Sequence, residues 1–306
     1  MRYAVEAWAP EYGTPMEDGE GLASPERPPL LDVEVPAADW APRRPPPTAA
    51  GSVMFIDGVR RVDARVWIDG DNGVSRLGLC ASYAAGAVLA AEGGGIGLVA
   101  AEVERGLFTS ACGAEPIVTR HATFAVRMVD SDLPDRLSLA LQQRMGELEV
   151  ALANRAGPAD LVVIDGPLRG RQHIPNAIGY VKTHHVAYLP ATVSGVVSAL
   201  APGERTPLFV TTSSWSRYSW YVRLPGAQGH AWAGVVRCEA CADLDEAVAI
   251  GLADAATATL PRFASTAHKD PRAPQNLHPI AGLERALRHR LGDPALMYRS
   301  LRISAA

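Results

Sequence analysis

Cysteine and long apolar runs are scarce in this chain, and each shortage removes a class of protein. Four cysteines in 306 residues are too few for a disulfide scaffold of this size. Cys238-Glu-Ala-Cys241 has the two-residue gap of half a zinc knuckle. A closed tetrahedral site needs two further thiolate or imidazole ligands at suitable spacing, and no second such pair occurs, so ordinary semi-buried thiols are expected. The most apolar stretch, Leu79 to Ala101, is broken by Glu92 and by Gly93-Gly94-Gly95, which suits a buried strand pair better than a membrane span. Met1 to Pro10 has an early Arg2 but no apolar run behind it, so it does not read as a signal peptide, and a cytoplasmic protein is expected. No Gly-x-x-x-x-Gly-Lys-Ser/Thr segment occurs, so any ATP-driven step must come from another chain.

Positive charge is also short overall, at a formal net of -4, but its distribution is uneven. Residues 1–44 carry four arginines against nine acidic residues, and residues 262–302 carry eight Lys/Arg against three. A basic region of this kind can neutralise phosphates inside an acidic chain, although it equally suits a solvated helix face.

Ten of the 24 prolines fall in residues 1–47. Such a segment sustains neither a helix nor a central strand, so residues 1–50 are expected to form a proline-rich arm, partly ordered at best. Residues 51–306 form the body. Strands are expected at Ser52–Ile56, Val62–Ile68, Leu77–Ala90, Ile96–Val103 and His121–Val129, with a turn over Asp69-Gly-Asp-Asn-Gly73. A helix opens at Asp132-Leu-Pro134 and runs to about Arg155, with Leu141, Met145, Leu148 and Leu152 as its core stripe. Leu161–Ile164, Tyr180–Leu189, Leu208–Thr211, Tyr218–Leu224 and Ala233–Cys238 read as later strands. Ser194–Leu200, Asp243–Leu260 and Ile280–Leu291 read as later helices. This order predicts an α/β fold, a mixed sheet with helices on its faces.

Two apolar strands are read as ending alike, in Ile56-Asp57-Gly58 and Ile164-Asp165-Gly166. A carboxylate at the end of a buried strand is held rigidly at the sheet rim, and the glycine lets the chain turn. Two of them on neighbouring strands suit Mg²⁺ or Mn²⁺ and two-metal phosphodiester hydrolysis; a plain Asp-Gly turn is the simpler alternative. For a third carboxylate the intervening helix offers Glu149, at the edge of its buried face, over Glu147, which points away; Glu102 and Glu104 are weaker candidates. Arg60, Arg61, Arg169 and Arg171 follow the two aspartates and would place positive charge where a DNA backbone lies. Trp215, Tyr218, Trp220 and Tyr221 crowd one segment with Arg217 and Arg223, which suits hairpin core better than base stacking.

The ordered set Ile56-Asp57-Gly58, Val163-Ile-Asp-Gly-Pro-Leu168, Gly179-Tyr-Val-Lys182-Thr183, Pro274-Gln-Asn-Leu-His-Pro-Ile280 and Gly282-Leu-Glu-Arg-Ala-Leu, with Leu291-Gly-Asp293 after it, resembles the NurA nuclease family over about residues 50–302. The resemblance implies a ribonuclease H-like fold and Mn²⁺-dependent (or Mg²⁺-dependent) cleavage of single- and double-stranded DNA, exo- or endonucleolytic. It also implies a homodimer docked on a HerA-type hexameric ATPase in DNA end processing and repair. It makes Asp57, Glu149 and Asp165 metal ligands and adds Lys182, as a phosphate contact, and His278, as a ligand of the second metal or a positioner of water. Asn276 is an alternative at the place of His278, and His184 and His185 are weaker candidates. A catalytically silent subunit that binds DNA or the ATPase is the competing expectation.

Overall fold

The computed structural model describes residues 27–69, 74–184, 186–227 and 229–304. The turn expected at residues 69–73 and His185 therefore fall largely or wholly outside the described residues. The fold is α/β, with a large mixed sheet of ten strands flanked by helices. The strands are β1 (Ser52–Asp69), β2 (Ser75–Ala91), β3 (Ile96–Thr109), β4 (Ile117–Val118), β5 (Thr123–Met128), β6 (Leu161–Asp165), β7 (Ala177–Val181), β8 (Phe209–Thr212), β9 (Ser216–Arg223) and β10 (Val235–Cys241). The helices are α1 (Pro134–Ala156), α2 (Ala191–Ala199), α3 (Glu246–Thr259), α4 (His278–Arg290) and α5 (Pro294–Ser304). The hydrogen-bonded order is β4-β5-β3-β2-β1-β6-β7-β10-β9-β8. Among the described residues no helix is long and apolar enough to cross a membrane.

The chain divides into two compact units. The first comprises Met1–Ile56, Val88–Gly97 and Gly157–Ala281. In it, the start of β1 pairs in parallel with β6, Val53 opposite Leu161 through Ile56 opposite Ile164, and the next residue along each strand is an aspartate. β6 pairs in parallel with β7, and the β7-β10-β9-β8 series is antiparallel. Val53–Ile56 and Leu161–Ile164 are buried at every position, as parallel strands covered on both faces must be. One face of this sheet packs Phe55, Val163, Trp220 and Val236 with Phe263 and the small residues Ala249, Ala253 and Ala256 of α3, spaced four and three apart so that the helix lies close.

The described part of the proline-rich arm belongs to this unit. Leu30 bridges Val210 and Arg43 bridges Arg205, single antiparallel bridges of the sort prolines still permit at an edge. Glu34 is buried on Arg205, which donates to both its oxygens at 2.7 and 2.8 Å. Burial alone raises the Glu34 carboxyl, but the Arg205 hydrogen bonds and charge, the Leu208 amide and Arg43 outweigh it and hold it below the ordinary glutamate value.

The second unit comprises Asp57–Ala87, Leu98–Ala156 and Gly282–Ala306. β2 is lined with small residues, Ala81, Ala84, Ala85 and Ala87, and a Cβ on Gly86 would meet Leu283 Cδ1 of α4 at 2.7 Å, so glycine is what admits the helix. Cys80, Leu107 and Phe124 form a second core with Met297 and Leu301 of α5. That last helix goes beyond the expected elements. Its signal is local: Asp293 Oδ1 accepts the Leu296 amide at 2.7 Å, an N-cap followed by Pro294 at the first helical position.

Two of the differences from expectation bear on the aspartates and on Lys182. β1 is one strand of 18 residues, so Ser52–Ile56 and Val62–Ile68 are not separate strands and Asp57-Gly58 is not a strand end. β7 covers Ala177–Val181 and not Tyr180–Leu189, because its pairing with β6 starts at Ala177, opposite Val162. Cys238 and Cys241 are both buried in β10; a separation of three along a strand directs them to opposite faces, so they do not present a joint ligand pair.

Candidate functional site

In the second unit, Gly58 lies mid-strand and keeps a negative-side backbone, so no turn requires it. Crowding does. A Cβ there would meet the Glu149 carboxylate and lie 2.9 Å from Met145 Cγ, both on α1. Glu149 is 2% exposed, on the buried stripe with Leu148 and Leu152, as the helical periodicity predicts. Asp57 is 8% exposed, and its Oδ1 accepts the Gly58 amide at 2.7 Å, which folds the carboxylate along the strand toward the same glycine. Two buried carboxylates thus border one bare peptide, Asp57 bonded to its amide and Glu149 packed over its α-carbon.

The other acidic candidates of this unit are held by arginines. Glu147 is exposed and pairs with Arg144 one turn before it, and Glu102 pairs with Arg155. Glu104 accepts Tyr83 Oη at 2.7 Å and Arg127 at 3.1 Å. Burial raises its carboxyl, but the Tyr83 hydrogen bond and the Arg144 and Arg127 charges prevail and hold it down. Arg60 donates to Gln142 of α1. Arg61 pairs with Asp63 at 2.7 Å and donates to the Gly292 and Leu291 carbonyls that follow α4, at 2.7 and 3.3 Å, so it caps a helix end.

In the first unit, β6 ends at Asp165, and Gly166 turns the chain at φ +91°, as an Asp-Gly strand end requires. Lys182, just past β7, is not a surface lysine. It is 4% exposed, pairs with Asp165 Oδ2 at 2.7 Å and donates to Asn276 Oδ1 at 3.1 Å. Asn276 in turn donates to Asp270 Oδ2 at 2.6 Å. Asp270 is held below the ordinary aspartate value: burial raises it, and the Asn276 hydrogen bond, the Arg272 amide and the Arg272 charge more than reverse that. His278 is exposed at the start of α4, whereas Asn276, two residues earlier, is fully buried on Lys182. His184 Nε2 lies 2.9 Å from the Val235 carbonyl and its ring packs on Trp232 and Tyr221. Arg171 donates to the Pro167 carbonyl, while Arg169 is exposed beside a cleft. Trp220 and Tyr221 are fully buried core, as the hairpin reading expects.

Asp57 and Glu149 offer only hard oxygen donors, which fit a divalent cation of the Mg²⁺ or Mn²⁺ kind. Comparison with protein-family models gives no match, and comparison with curated proteins gives none either.

Proposed function

We propose that this protein is a metal-dependent deoxyribonuclease of the NurA type, with a ribonuclease H-like fold, that works as a dimer beside a HerA-type ATPase in processing DNA ends. The ordered motifs from Ile56-Asp57-Gly58 to Leu291-Gly-Asp293 support the family reading. The observation that carries the chemistry is the burial of two carboxylates beside Gly58, Asp57 next to it in the strand and Glu149 on the helix packed over it. In this reading Asp57 and Glu149 would hold Mn²⁺ or Mg²⁺. When bound, such ions activate water and stabilise the leaving oxygen of a phosphodiester. Glu149 is pre-positioned by the α1 core stripe, so little reorganisation is needed on its side. Lys182 fixes the Asp165 carboxylate and supplies a point charge toward a phosphate. Asn276, held by Asp270, orients that lysine.

One observation favours the second reading, a catalytically silent subunit that binds DNA or the ATPase: Asp165 is already engaged by Lys182. End-labelled single- and double-stranded DNA incubated with the protein in Mn²⁺, Mg²⁺ or EDTA separates the two. Metal-dependent cleavage that disappears in Asp57→Asn and Glu149→Gln supports the nuclease. No cleavage in any metal, alone or with a HerA-type partner, leaves the silent subunit as the answer.

A further inference from the structure

In the first unit, the turn that follows Asp165 folds back over β7. Gly166 donates its amide to the Tyr180 carbonyl at 3.0 Å, and Pro167 fixes the next φ. Leu168 is then 1% exposed and lies over Gly179. A Cβ on Gly179 would come within 2.7 Å of the Leu168 nitrogen and 3.0 Å of the Gly166 carbonyl oxygen, so only glycine admits the turn. Gly179 stands opposite Ile164 of β6 on one side and opposite Glu239 of β10 on the other. From that neighbouring position the Glu239 side chain reaches the turn: its Oε2 accepts the Leu168 amide at 3.0 Å.

Glu239 is fully buried, on a sheet face that also carries the buried Tyr221 and Val235. A carboxylate is an expensive occupant of such a position, and packing alone would be met by an apolar side chain. Its charge is answered on the other oxygen: Arg217 Nε lies 2.9 Å and Arg237 Nη1 2.8 Å from Glu239 Oε1. Those arginines are themselves fixed. Arg217 donates to Ser213 Oγ at 3.1 Å and to Tyr188 Oη at 3.3 Å, and the Arg237 guanidinium sits 4.3 Å from the centre of the Tyr188 ring. One oxygen of Glu239 is therefore tied to the sheet and the other is committed to a single backbone amide. Without Glu239 that amide would be a buried donor lacking its acceptor. Asp165 is thus held from two sides, at its carboxylate by Lys182 and three residues further on through the turn.

We propose that Glu239 is a positioning residue: through the Leu168 amide it holds the Asp165–Leu168 turn down on Gly179 and so sets the Asp165 carboxylate against Lys182. It touches neither substrate nor metal. Its effect on rate rests on the nuclease reading, in which Lys182 meets a phosphate, whereas its hold on the turn does not. A misplacement of about 1 Å, even one caused far from the reacting atoms, can cost on the order of a hundredfold in rate, so a fixed turn matters to such a lysine.

Three variants of the full chain test this. Glu239→Ala removes the acceptor, Glu239→Gln keeps an acceptor oxygen for the Leu168 amide, and Gly179→Ala leaves the arginine–glutamate cluster whole but pushes on that amide, so the test survives if a Glu239 variant fails to fold. Amide hydrogen exchange, read by nuclear magnetic resonance without metal or DNA, should be about tenfold or more faster at Gly166 and Leu168 in Glu239→Ala and Gly179→Ala, while Val163 in the core of β6 stays protected. In urea, the midpoint shift caused by Lys182→Met should shrink by about half or more in the Gly179→Ala background, because residues that act together are not additive. A turn that is merely structural leaves that shift unchanged. Initial rates of DNA cleavage in Mn²⁺ should fall about tenfold or more in Glu239→Ala and Gly179→Ala and recover most of that loss in Glu239→Gln. Exchange at Leu168 unchanged in the folded variants, or a Lys182→Met shift of equal size in both backgrounds, overturns the proposal. Wild type that cleaves no DNA sinks the nuclease reading and the effect on rate with it, and exchange and the urea series still decide whether Glu239 holds the turn.

Discussion

The same dipeptide does two different jobs in this chain. Asp165-Gly166 ends a strand: the glycine adopts φ +91°, nothing within 4 Å would obstruct a Cβ, and the aspartate is paired with a buried lysine. Asp57-Gly58 sits inside an 18-residue strand, its glycine extended and crowded by Glu149 and Met145, and its aspartate turned back on its own backbone. In one the glycine supplies backbone freedom, in the other an absence of volume. The difference teaches that a short motif fixes a residue's chemistry but not the constraint that selected it.

The comparison breaks most visibly on activity. If Asp57 and Glu149 hold the metal, Asp57→Asn and Glu149→Gln each remove several kcal/mol of transition-state stabilisation, on the order of a thousandfold in rate. Initial rates of DNA cleavage at saturating Mn²⁺ check this, and residual activity above a tenth of wild type contradicts it. Next in size is the Asp165 side. Lys182→Met leaves Asp165 and Asn276 facing a buried gap and should cost about 3 kcal/mol of folding stability, read by urea denaturation. A loss below about 1 kcal/mol would show that the pair is exposed in solution.

The glycines themselves sharpen the contrast. Gly58→Ala overpacks against α1 and should lose about 3 kcal/mol. Gly166→Ala meets only backbone strain and should lose about 1 kcal/mol. The same denaturation series reads both, and the reverse order would undo the comparison.

Much of this architecture was legible beforehand, and the misses have identifiable causes. The stripe Leu141, Met145, Leu148 and Leu152 was enough to choose Glu149 over Glu147, because helical period alone decides which side chain turns inward. Asp57-Gly58 was misread as a strand end because turn statistics describe isolated dipeptides, whereas α1 docking on Gly58 is a tertiary fact. Asn276 outranked His278 in burial for the same kind of reason: only the packing of Lys182 against that segment distinguishes them. Arg237 and Glu239 escaped notice altogether, and Arg217 was read only as a neighbour of the aromatic segment. Alternating charges in a strand look solvent-facing until the cross-strand partners are known.

The smallest effect is on pH. Asp270, which holds Asn276 on Lys182, has a lowered folded pKa, so its contribution to stability is full above the unfolded value of about 3.9 and is lost as pH falls through the folded value below it. Thermal melts from pH 6 down to 2.5 should therefore drop more steeply in wild type than in Asp270→Asn below about pH 4. Parallel curves would remove Asp270 from the Asp165 side of the comparison.

The central claim is that Asp57 and Glu149 form a divalent cation site at Gly58. Electron paramagnetic resonance of free Mn²⁺, titrated into the full chain without DNA, tests it most directly. The account predicts saturable Mn²⁺ uptake by wild type that is lost in folded Asp57→Asn and Glu149→Gln. Equal uptake by wild type and both variants, or none by wild type, would contradict it.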